Sequence, residues 1–156
     1  MSRRHDSLIP LSHQHQHALA VAVIIKRRFG REHREDEWRE EMTEKIRKLY
    51  AAELTGHFEV EETVLFTEME RYLGPLKLIA ELKRDHQALR ELIGLLPPRA
   101  APPLATLDQF SSSIDQHVRK EERELFMEFE KKMPADEARR VGAEIDARLL
   151  KACPRL

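Results

Sequence analysis

Cysteine is nearly absent from this chain. Cys153 stands alone beside Pro154, so no disulfide can form within the chain and no thiolate metal cluster can be built. That usage fits a reducing compartment. Glycine is scarce, at 5 of 156 residues, and aromatics reach only 6% against 35% charged residues, which argues against a turn-rich sheet protein and for long amphipathic helices. An excess of one charge is missing too. The 27 Lys and Arg nearly cancel the 28 Asp and Glu, leaving no global field to draw a nucleic acid or an anionic membrane. No apolar run approaches the roughly 20 residues of a membrane helix. The longest, Ala18 to Ile25, lies between polar His and Gln residues and the basic Lys26, Arg27 and Arg28, the wrong order for a secretory leader. A cytoplasmic protein with neither nucleic acid nor membrane as partner is the expectation.

What the chain has is helical periodicity. Pro10 and Ser12 mark a helix start, and apolar residues continue to Phe29 with Gly30 as the stop, which predicts a first helix over about 12–29. A charged stretch from Arg31 to Glu41 leads into Ile46, Leu49, Tyr50, Glu53, His57, Val60, Glu61 and Val64, a second helix over about 36–72 ended by Gly74-Pro75. Leu76, Ile79, Leu82, His86, Leu89, Ile93 and Leu96 repeat every three or four residues until the segment Pro97 to Pro103 breaks the third helix. A fourth runs from about Leu104 to Met133. Pro134 interrupts it, and a short fifth follows over about 135–151. The fold class expected is all-α, an antiparallel up-down four-helix bundle over about 8–133 with a C-terminal fifth helix, all in one domain of 1–156.

An internal repeat carries the chemistry. Residues 57–70 read HFEVEETVLFTEME and residues 117–130 read HVRKEERELFMEFE, matching at His57/His117, Glu61/Glu121, Glu62/Glu122, Leu65/Leu125, Phe66/Phe126, Glu68/Glu128 and Glu70/Glu130. A weaker echo joins Leu11, His15 and Gln16 to Leu82, His86 and Gln87. His57 and Glu61, like His117 and Glu121, are one helical turn apart on a stripe shared with apolar residues, so each pair is an inward-facing N,O chelate. A carboxylate there is costly unless a cation meets it. One such pair on a charged helix reads most simply as a solvated contact. Two copies, each matched by a His on a remaining helix, read as a metal site. Mixed imidazole and carboxylate ligands beyond the need of one tetrahedral zinc, with no HExxH helix and no Cys pair, suit two first-row ions bridged by the carboxylates: iron, with manganese or zinc as substitutes. The Glu-x-x-His spacing of ferritin-like proteins is absent.

In the first helix His13, His15 and His17 are all candidates. His13 and His17 share one face and His15 points nearly opposite, in line with Leu8, Leu11, Leu19 and Ala22, which favours His15. His5 and His33 lie in terminal or charged segments and read as solvated, as do Glu62 and Glu122, with a lesser alternative that one of the latter replaces its neighbour as a ligand. Glu53 and Tyr50 fall one and two turns before His57, either beside the ligands or at the core edge. Phe66, Phe126 and the Met residues read as core.

The order His, His-x3-Glu, His, His-x3-Glu over residues 8–130 resembles the hemerythrin-like family, the HHE cation-binding domain, most specifically through H57FEVEE62 and H117VRKEE122. The resemblance implies a di-iron centre in a four-helix bundle, with His15, His57, Glu61, His86, His117 and Glu121 as ligands. It implies a small diatomic ligand or peroxide as partner, in sensing, storage or stress defence. An enzyme reducing nitric oxide or peroxide or repairing iron centres, with a protein redox partner, is the first alternative, and an iron-responsive interaction module is the second. The oligomeric state stays open. Arg90 stands where oxygen-carrying members have a second His, and the last motif is His-x3-Glu rather than His-x4-Asp, so reversible oxygen carriage is not expected.

Overall fold

The computed structural model describes residues 3–28, 35–98 and 100–153. Among them there is no strand, and no helix is long and apolar enough to cross a membrane. A 3-10 turn, Asp6–Leu8, leads into α1, Ile9–Arg27. This start is earlier than the expected Ser12, because Pro10 falls in the first turn, where its missing N–H costs nothing. Arg28 closes α1 in the left-handed region (φ 54°), its N–H reaching the Ile24 and Ile25 carbonyls. The expected stop at Phe29 and Gly30, and His33, lie outside the described residues.

The second helix, α2, is continuous over 35–73 but not uniform. Glu35–Leu49 gives way to a π-helical turn at Tyr50–Leu54; Thr55–Val60 is α-helical, Glu61–Leu65 is a second π turn, and Phe66–Leu73 completes it. Gly74, at φ 80°, ends it. Then come α3, Lys77–Gly94, and α4, formed by Leu104–Lys120, a π turn at Glu121–Leu125 and Phe126–Lys132. The last helix is α5, Ala135–Ala152. The π turns were not foreseen from the sequence. Each offsets the hydrogen-bond ladder by one residue, and two of them begin at the repeated Glu61 and Glu121. Side chains reach carbonyls in both of these turns: Thr67 Oγ1 donates to Glu62 O at 3.0 Å, and Arg4 Nη2, from the start of the chain, to Glu122 O at 2.9 Å.

The buried apolar residues fall into two groups. One joins Leu8 and Leu11 of the chain start to Val64, Phe66 and Met69 of late α2, Ile79 and Leu82 of early α3, and Phe126 and Phe129 of late α4. The other joins Ala18, Ala22 and Ile25 of late α1 to Trp38, Met42, Ile46 and Phe58 of α2, Leu89 and Ile93 of late α3, and Leu107, Phe110 and Ile114 of early α4. The buried polar layer holding His15, His57, Glu61, His86, His117 and Glu121 takes one or two residues from each of α1 to α4, between the stretches that feed the two groups.

Helix α5 closes the first group with Ala138, Val141, Ile145 and Leu149. It can do so because Gly142 has no Cβ: one added there would stand 2.6 Å from Ser7 Cβ and 2.8 Å from Ser7 Cα. Ser7 Oγ donates to Ala138 O at 2.7 Å across the same contact. Gly94, by contrast, faces nothing within 4 Å. Gly142→Ala should therefore lower Tm by several degrees, overpacking costing about 1–3 kcal/mol against a helix-propensity gain of about 1 kcal/mol. Gly94→Ala should leave Tm unchanged or slightly higher. Equal Tm values for the two variants in thermal unfolding would contradict the close approach.

Candidate metal centre

Six side chains converge in the buried layer. Ligand-capable atoms of His15, His57, Glu61 and Glu121 lie within 4.8 Å of one another, and so do those of Glu61, His86, His117 and Glu121. The two groups share both carboxylates. Helical spacing explains the pairing within each helix: His57 Nε2 is 2.7 Å from Glu61 Oε1 one turn on, and His117 Nε2 is in contact with Glu121 Oε1 in the same way. Across helices, Glu61 Oε1 is 3.7 Å from His86 Nε2, and Glu121 Oε1 is 3.9 Å from His15 Nε2. The Nε2 atoms also meet in pairs, His15 with His57 and His86 with His117, each at 3.1 Å.

The outer faces of the rings fix which nitrogen carries the proton. His15 Nδ1 is 2.9 Å from Glu122 Oε1, and His117 Nδ1 is 3.1 Å from Asp85 Oδ2. His57 Nδ1 is 2.8 Å from Gln14 Oε1. His86 Nδ1 is 3.5 Å from Glu62 Oε2, close enough for charge attraction though it has no hydrogen-bond partner. A carboxylate on Nδ1 keeps the proton there and leaves the lone pair on Nε2, the tautomer a metal requires.

The two halves follow one plan. Arg90 donates to Glu62 Oε1 at 2.8 Å, and Arg4 reaches Glu122 Oε2 at 3.0 Å. Arg90 also lies over Phe58, which stacks on His86 at 4.1 Å between centroids, and Arg4 lies over Phe126, which stacks on His15 at 5.6 Å. Glu62 and Glu122 are thus not solvated, as the sequence suggested. They are partly buried, each held between an Arg and a His, and neither enters the inner groups. His5 is likewise half-buried rather than solvated: its Nδ1 accepts from Ser7 N and its ring meets Phe129 at 6.0 Å. His13 and His17 are exposed and outside the inner groups, and Glu53 pairs with His17 at 2.7 Å. Phe66 and Phe126 are buried as expected, and Phe66 also stacks on His86.

Gln14, Asp85 and Arg4 were missed from the sequence. A signal for the first two exists: each immediately precedes the buried His of its helix, His15 or His86, and so holds the same place in the echo between those segments. Nothing local marks Arg4, whose partners are more than a hundred residues away.

Electrostatics separate the groups. Burial alone would raise the Glu61 carboxyl, but the imidazoles of His57, His86 and His15 outweigh it and hold it at about 2. Asp85 is also at about 2, its burial offset by bonds from His117 and Lys120. Burial lowers His15, with Glu122 opposing, and lowers His86 to about 4, with Glu61 opposing. Imidazole nitrogens gathered around two carboxylates form a donor set for a cation. The observation that tests this fit is that all four oxygens of Glu61 and Glu121 are buried without a hydrogen-bond partner. Two Nε2 lone pairs facing each other at 3.1 Å repel as well, and a cation beside them removes both costs.

His86 sets a sign for pH. Above its ordinary value of 6.5 it is neutral folded or unfolded and has no effect. As pH falls from there to about 4, only the unfolded chain takes the proton, so stability is lost across that window. In chelator-treated protein, the urea midpoint should fall between about pH 7 and about pH 4.5, and His86→Leu should make that fall shallower. An identical fall in the variant would contradict the buried neutral imidazole.

The family model of the Hemerythrin HHE cation binding domain matches residues 8–129, which include all six inner residues. Comparisons with curated proteins and with solved structures found no match.

Proposed function

The chain belongs to the hemerythrin HHE cation-binding domain family, and from that premise we propose that it is a di-iron protein that reacts with oxygen, nitric oxide or peroxide in sensing, storage or stress defence within a reducing, cytoplasmic compartment. The residues that would hold the ions are His15, His57, His86 and His117, with Glu61 and Glu121 common to both groups. They are carried by one antiparallel up-down four-helix domain. The observation that carries the reading is the pair of buried four-residue groups sharing two carboxylates whose oxygens have no hydrogen-bond donor. Manganese or zinc can substitute by the same chemistry.

When bound, two redox-active ions supply electrons and open coordination positions to a small ligand. The chain's own residues determine how that ligand is received. Phe58, Phe66 and Phe126, stacked on the imidazoles, keep bulk water out. Glu122 and Asp85 hold the Nδ1 protons of His15 and His117, and Gln14 holds that of His57, so the rings keep their orientation as charge changes at the centre. If each ion takes about six ligands, four His and two bridging Glu fill about eight of about twelve positions.

A reversible carrier needs a single vacancy. Arg90, one turn past His86, adds no ligand: it remains charged and is engaged by Glu62 at 2.8 Å and 3.2 Å. Six ligands alone would leave a bound pair of ions open to an incoming ligand, which would favour onward reaction over its storage unchanged.

Protein from iron-supplemented cells should carry two irons per chain. Glu61→Ala combined with Glu121→Ala should lose both together and lower Tm, because the ions bind only the folded chain. Admitting air to the reduced protein should give a ferric spectrum that does not return to the starting spectrum on degassing. A folded double variant that keeps two irons would contradict the ligand assignment, and a colour that reverses on degassing would contradict the reading against carriage.

A further inference from the structure

Two of the first helix's three histidines remain unused by the buried layer, and they line a surface cavity. His13 and His17, one turn apart on α1, face Glu53 of α2 and Asp146 and Cys153 of α5 around a space of about 600 Å³. The rings of His13 and His17 approach to 4.9 Å between centroids. Both Glu53 oxygens bracket His17 Nδ1, at 2.7 Å and 3.0 Å.

We propose that His13 and His17 form a third, solvent-accessible site for a divalent transition-metal ion, chelated by the two imidazoles, in which Glu53 positions His17. Two imidazoles at i and i+4 on one helix face are spaced to chelate a single ion. The outer carboxylate supplies what an isolated surface histidine lacks. With Glu53 holding the Nδ1 proton, His17 keeps its lone pair on Nε2, as Glu122 does for His15 in the interior. Imidazole donors suit zinc, iron or cobalt and are a poor match for magnesium or calcium. Gln14, on the same cavity wall, holds His57, so the site lies at the solvent side of the buried layer.

Zinc uptake tests this without depending on the buried pair. Full-length protein and the double variant His13→Ala/His17→Ala, both of which should fold because these side chains are exposed, are saturated with zinc, desalted and analysed for metal. The parent should hold one equivalent more than the variant, and magnesium in excess should not displace it. His17→Gln should lose the same equivalent, since an amide cannot replace the imidazole nitrogen. Equal zinc content in parent and variants would overturn the proposal. The number of ions the double variant retains reports separately on the buried centre: two supports that reading and none sinks it, while the difference between the proteins still decides the surface site.

Discussion

Burying two carboxylates among four imidazoles, in a layer that water barely reaches, is the constraint on which the rest of the molecule depends. Without a cation, the four oxygens of Glu61 and Glu121 have no donor and the imidazole lone pairs face one another in pairs. The apolar residues supply the folding free energy, but they are divided into two groups by this layer. A chain that keeps so unfavourable an arrangement in the middle of its core gains stability when a cation neutralises it. Folding and metal uptake are therefore coupled in this account.

The layer is built twice over. Each His-x3-Glu pair is followed by a second glutamate that leaves the interior, crosses to the single His of another helix, and is held there by an arginine. Each single His is preceded by a residue, Gln14 or Asp85, that crosses to the repeat His. The outer nitrogens of His15, His57 and His117 are thus held by hydrogen bonds while that of His86 faces Glu62 at 3.5 Å, and Phe58 and Phe126 each touch a His and an Arg in the two halves. The π turns beginning at Glu61 and Glu121 belong to the same plan, since they shift the helical phase just where ligands give way to apolar packing.

Much of this was legible in the sequence because it is local. Period and punctuation placed the five helices to within a few residues, and the repeat brought His57, Glu61, His117 and Glu121 to one inward stripe. The face argument separated His15 from His13 and His17, and the structure places it in the inner group and the other two at the surface. What was not legible is tertiary. Glu62 and Glu122 look like solvent-facing neighbours of a charged helix until their partners Arg90 and Arg4 are known, and Arg4 comes from the far end of the chain. The π turns escaped because no residue type marks them; they follow from accommodating the polar layer rather than from propensity.

Anomalous diffraction at the iron edge, from crystals of iron-loaded protein, tests the central claim most directly. Two peaks are expected inside the buried layer, one beside His15 and His57 and the other beside His86 and His117, with Glu61 and Glu121 between them. A single peak, or peaks confined to the surface with the layer empty in protein that carries two irons, would contradict it.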